Sequence, residues 1–106
     1  MSVTAWDQEA LDATGAVLDL IDRHGGRTAT PVTARVRHTC SMLASGDEDA
    51  LKSLLTETSG GMGSLNDYGF GSGVDAAVRL RKDELTAIAA EKCRIALRAR
   101  GIEPWR

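Results

Sequence analysis

Aromatic side chains are scarce in this chain: 106 residues hold one Tyr, one Phe and two Trp. No apolar run approaches the length needed to cross a bilayer, so no membrane span is expected. The opening Met-Ser-Val-Thr-Ala-Trp-Asp has neither a basic stretch nor an apolar core, so no signal peptide is expected either. The two cysteines, Cys40 and Cys93, lack the spacing of a metal or dithiol redox motif. They read as reduced thiols packing as small hydrophobes in a cytoplasmic protein, with a disulfide between them as the other possibility. Neither an internal repeat nor a low-complexity segment is present. What remains, 42% hydrophobic and 26% charged, is the make-up of an ordinary globular chain, and its length suits one domain, 1–106, with one core.

The net charge of −2 conceals an asymmetry. Residues 1–73 carry five basic and ten acidic side chains, whereas residues 74–106 carry eight basic and five acidic. Phosphate backbones are bound by clustered Lys and Arg, so an acidic chain is not expected to bind nucleic acid in general. The basic tail, with Arg94, Arg98 and Arg100, supports a small regulatory nucleic-acid module only as a distant alternative. The tail's cations have a second reading, in which they pair with the acidic first helix inside the fold.

Helical periodicity runs through most of the chain. Over 5–24, Trp6, Ala10, Ala13, Val17, Leu20 and Ile21 recur at three- and four-residue steps. Thr4 caps this helix, Asp7 and Glu9 suit its positive end, and Arg23-His24-Gly25-Gly26 closes it. Gly15 is a weak point within it, or a place of close approach. Thr30-Pro31 opens a second helix, with Thr30 as cap, and Val32, Val36, Cys40 and Leu43 follow on one face. Ser45-Gly46 breaks the chain, and Asp47-Glu48-Asp49 starts a third helix whose stripe is Ala50, Leu51, Leu54 and Leu55. Helices two and three, joined this closely, are expected to lie antiparallel. Residues 82–100 read as a further helix, in which Lys82-Asp83-Glu84 leads into a stripe of Leu85, Ile88, Ala89, Lys92, Ile95, Ala96 and Ala99, and 74–81 as its continuation or a short separate helix. The fold class is therefore all-α: three to four helices around one core.

Residues 58–73 interrupt this pattern. Six of the eleven glycines fall there, along with the only Tyr and the only Phe, Tyr68 and Phe70. No Gly-Lys-Ser/Thr follows, so the segment is not a P-loop. Gly61-Met62-Gly63 and Gly69-Phe70-Gly71 lack the third glycine and the preceding strand of a dinucleotide site. Gly71-Ser72-Gly73 does not make a nucleophile elbow. Two readings stand. In one, the segment is an ordered loop or short β-arm, with Met62 and Leu65 tucked into the core and Asn66 and Asp67 bonding the turn's own amides. In the other, it forms part of a partner-binding surface anchored by Tyr68 and Phe70.

The stretch Ser-Gly-Gly-Met-Gly-Ser-Leu-Asn-Asp resembles the signature of a family of small uncharacterised bacterial helical proteins with a G-G-M-G-S-[aromatic or aliphatic]-N-D core. The match covers residues 59–68 and puts weight on Gly61, Met62, Gly63, Ser64, Asn66 and Asp67 as loop-shaping residues. Members of such families resemble immunity proteins of bacterial toxin systems. The resemblance implies helices on both sides of the stretch and no catalytic role for its residues.

His24 suits a helix C-terminus and His38, between Arg35 and Arg37, a surface position. No metal is expected, since no set of ligands shares a metal-binding spacing. No catalytic residue and no cofactor is expected. The function these features imply is non-enzymatic: an immunity-type protein that neutralises a cognate toxin domain by direct contact. Complementary charge speeds encounter and selects partners, so Asp12, Asp19 and Asp22, with Tyr68 and Phe70, are the expected contacts. The alternative is a small enzyme or ligand-binding domain whose loop amides hold an anion, with Asn66 and Asp67 as polar contacts.

Overall fold

Thr4 and Asp7 cap the first helix reciprocally: Asp7 N donates to Thr4 Oγ1 at 3.1 Å, and Thr4 N donates to Asp7 Oδ2 at 3.2 Å. The computed structural model describes residues 3–71 and 73–104, without the side chains of Arg27 and Thr28. Trp105, expected to cover an edge of the core, lies outside the described residues. Helix α1 runs Ala5–His24, α2 Thr30–Ala44, α3 Asp49–Ser59 and α4 Ala76–Ala99, with a short 3-10 helix at Gly26–Ala29 between α1 and α2. The all-helical class stands, and no strand occurs among the described residues. The segment expected as a loop or β-arm is a series of turns.

The core joins one face of each helix. Val17, Leu18 and Ile21 of α1 meet Val36 and Leu43 of α2, Leu51, Leu54 and Leu55 of α3, and Ala89, Ala96 and Leu97 of α4. Each buried Leu or Ile contributes about 1.5–3 kcal/mol. Helices α1 and α4 form the most extensive pairing and run antiparallel, since Lys92 Nζ reaches Glu9 Oε1 at 3.0 Å and Arg100 reaches Asp7. Helices α2 and α3 are antiparallel as expected. Arg35, near the start of α2, pairs with Glu57, near the end of α3.

Four sequence expectations are corrected. Trp6 is 49% exposed, and Asp7 takes the inward position of the first turn instead, fully buried against Arg100. Thr30 is the first residue of α2 rather than its cap, because the 3-10 helix feeds straight into α2 through Ala29 in αR geometry. The inward face of α4 is rotated from the expected stripe. Lys82, Thr86, Ala89, Ala90, Cys93, Ala96 and Leu97 are buried, while Ile88 is 47% exposed and Ala99 exposed. Finally, no Cα of α2 lies within 8 Å of one in α4, which places Cys40 and Cys93 beyond disulfide reach.

Candidate functional site

The glycine-rich segment leaves α3 at a tight corner. Gly60 N donates to Thr56 O at 2.6 Å, and a Cβ on Gly60 would run into that same oxygen. Ser64 N then donates to Gly61 O at 3.0 Å, closing a turn with Met62 and Gly63 at its centre. Gly63 has φ +84°, a conformation that favours glycine at this position of a turn. Two further turns follow, from Asp67 N to Ser64 O at 3.1 Å and from Tyr68 N to Leu65 O at 3.2 Å.

Side chains fix these turns from within. Asp67 accepts from Gly63 N at 3.3 Å, Ser64 Oγ accepts from Asp67 N at 3.3 Å, and Asn66 Nδ2 donates to Gly60 O at 3.1 Å. The expectation that Asn66 and Asp67 bond the turn itself is met. The same bonds engage Asn66 and Asp67, the polar contacts of the anion-binding alternative, in supporting the turn. Leu65 N is taken by Glu57 Oε1 at 2.9 Å and Asn66 N by Glu57 O at 2.7 Å, so the amides around them are occupied.

Three cations clamp the loop from outside by donating to its carbonyls. Arg35 Nη2 reaches Gly63 O at 2.7 Å while the same guanidinium holds Glu57 at 2.7 and 2.9 Å. Arg79 reaches Phe70 O at 3.2 Å and Gly71 O at 2.8 Å. Lys82 Nζ reaches Asn66 O at 2.6 Å. Lys82 is only 2% exposed, and burial pulls its ammonium below the ordinary lysine value, against the opposing pull of Asp83 and Asp67. The hydrogen bond to Glu57, ahead of its charge, raises Arg35.

The loop separates its apolar residues. Leu65 is fully buried, as expected. Met62, expected beside it, is 98% exposed at the tip of the first turn. Phe70, expected as a surface anchor, is 8% exposed and belongs to the core; a ring placed there cannot be offered to a partner. Tyr68 packs edge-on against Phe70 with ring centroids 5.4 Å apart, and its hydroxyl donates to Gly25 O at 3.3 Å. It is half-buried between the loop and the end of α1.

The α1 aspartates lie elsewhere and are unequal. Asp19 and Asp22, 67% and 44% exposed, share Arg37 of α2, with Asp19 at 3.4 Å. Asp12 is exposed and, among the described residues, accepts only from Gln8, at 2.9 Å. A rise of about 1.5 Å per residue puts Asp12 roughly 15 Å from Asp22 along the helix. In α4, Lys92 and Arg100 pair with α1 as one of the two readings had it, and Arg94 and Arg98 share Glu91 at 3.9 and 3.7 Å. Arg100 is thereby inside the fold. Among the described residues no three His, Cys, Asp or Glu converge as metal ligands. No helix among them is long and apolar enough to cross a membrane.

Arg35, Glu57, Arg79 and Lys82 were not singled out by sequence reasoning as partners of the loop. Only Lys82 left a trace, as a cation on the same helical face as Ala89, Ala96 and Leu97. Compared with protein-family models, curated proteins and solved structures, the chain matches none of them.

Proposed function

We infer that the chain is a non-enzymatic binding protein that works by direct protein–protein contact. The observation that carries this reading is Met62: a large apolar side chain, 98% exposed, at the tip of a turn held by hydrogen bonds on both flanks. A tip with no task beyond closing a turn favours small or polar residues. An unbranched thioether on a fixed platform suits an apolar pocket of another protein, because it adapts to the pocket's shape. Little loop entropy is then lost on binding.

The resemblance of the 59–68 stretch points to an immunity-type role in which the partner is a toxin domain. The exposed carboxylates of Asp12 and Asp19 support a basic partner surface, approached from the α1 side. A photo-crosslinking amino acid at position 62, and another at exposed Leu80, tests both parts in the native host. The reading expects one protein to be captured from position 62 and not from position 80. It also expects that protein to arrest growth when expressed alone and to be harmless when this chain is co-expressed. A partner captured at position 62 that leaves growth unaffected refutes the toxin assignment and keeps the binding role. Equal capture from both positions refutes the binding role.

A further inference from the structure

Independently of Met62, the far end of the loop borders an open recess of about 220 Å³ lined by Tyr68, Gly69, Phe70, Arg79, Lys82 and Asp83. It exceeds the roughly 30 Å³ share of a single water and falls short of the roughly 300 Å³ where sites for drug-sized ligands begin. Its two cations stand three residues apart on α4, an arrangement in which like charges repel. Among the described residues neither has an ion pair: Arg79 donates to two carbonyls and Lys82 to one. A guanidinium carries five N–H donors and an ammonium three, so most of these donors have no protein acceptor. Gly69 N–H, also at the recess, has none either among the described residues. Lys82 is 2% exposed, so its remaining donors are largely closed off from bulk solvent.

We propose that this recess binds a small dianionic oxyanion that carries its own proton, with inorganic phosphate as the ligand. Arg79 donates to hydrogen phosphate, and Lys82, 2% exposed behind the wall of the recess, adds positive charge. Asp83, exposed and the one acid in the lining, supplies the discrimination. Its carboxylate only accepts, so it takes the P–OH hydrogen of phosphate and repels an oxyanion without one. Sulfate has the same charge and shape and no hydrogen to give. A phosphate monoester, whose second ionisation falls near pH 6, is largely stripped of its proton at pH 7.5. A hydrogen bond to a charged group, set against like-charge repulsion, corresponds to about tenfold or more in affinity.

The test titrates the full-length chain with sodium phosphate, sodium sulfate and glycerol phosphate at pH 7.5 and matched ionic strength. Amide shifts of Gly69, Arg79, Lys82 and Asp83 are followed by ¹H–¹⁵N NMR. The proposal expects saturable shifts at these residues, with phosphate binding about tenfold or more tightly than the other two ions. Arg79→Gln should abolish binding. Asp83→Asn leaves every donor to the loop carbonyls in place and should bring sulfate to within about twofold of phosphate. Non-saturable shifts overturn the proposal. So do equal phosphate and sulfate affinities in the unmodified chain, or a phosphate preference that survives in Asp83→Asn.

Discussion

Lys82 Nζ donates to Asn66 O at 2.6 Å, tying the middle of a glycine-rich loop to a buried position on the longest helix. Matching bonds run from Arg35 to Gly63 O, next to Met62, and from Arg79 to Phe70 O and Gly71 O.

Burial keeps the folded-state value of Lys82 below the 10.5 of a free lysine, so the unfolded chain binds that proton more tightly. Its penalty on stability is full below the lowered value and fades as pH rises toward 10.5. Lys82→Met has no such titration. In urea melts between pH 7 and 10.5, the stability difference between the two proteins should move in favour of Lys82 as pH increases; a constant difference contradicts the burial.

Cys93 responds in the opposite direction. Burial pushes its thiol up to about 12, opposed by a hydrogen bond with Thr58, so its contribution is intact below 9.0 and is lost as pH climbs from there toward 12. At pH 8, iodoacetamide should label Cys93 only as fast as the chain unfolds, with Cys40 labelled earlier, as read by mass spectrometry. An oxidised chain showing an intramolecular Cys40–Cys93 bridge contradicts the helix arrangement.

Two glycines of the α1 region should respond oppositely to alanine. A Cβ at Gly15 meets nothing within 4 Å in the helix interior, so Gly15→Ala should stabilise by about 0.5–1 kcal/mol. A Cβ at Gly25 would sit 2.6 Å from Tyr68 Oη and 2.7 Å from Ala29 Cβ and Ile21 O. Gly25→Ala should destabilise by about 1–3 kcal/mol and release Tyr68 from the end of α1. Denaturant melts separate the signs.

Asp7 and Arg100 form a buried pair, 0% and 9% exposed at their side chains, to which Glu48 adds a contact at 3.4 Å. Removing one partner leaves a charge without compensation. Arg100→Leu should cost about 3–5 kcal/mol, and the double variant Asp7→Leu with Arg100→Leu clearly less than the two single costs added.

The helices were legible because their signals are local. The expected 5–24 and the observed Ala5–His24 coincide, since Thr4, Asp7, Arg23 and Gly25 mark the ends within one turn. Periodicity failed where polar side chains hold inward positions. Lys82 and Thr86 occupy the first half of the α4 core face, and counting only apolar residues rotates that face toward Ile88. Asp7 displaces Trp6 for the same reason, through a partner at the far end of the chain. The bonds within the loop were legible from Asn66 and Asp67. Its outer clamps were not, since Arg35 lies 28 residues from Gly63 and Lys82 lies 16 from Asn66. Composition gave no means of telling the exposed Met62 from the buried Phe70.

The presentation of Met62 is tested most directly by isothermal titration of the protein captured at position 62 against the unmodified chain and Met62→Ala. The variant should melt within about 0.5 kcal/mol of the original, because the side chain is exposed, and bind at least about 30-fold more weakly. Unchanged affinity in a folded Met62→Ala chain contradicts the account.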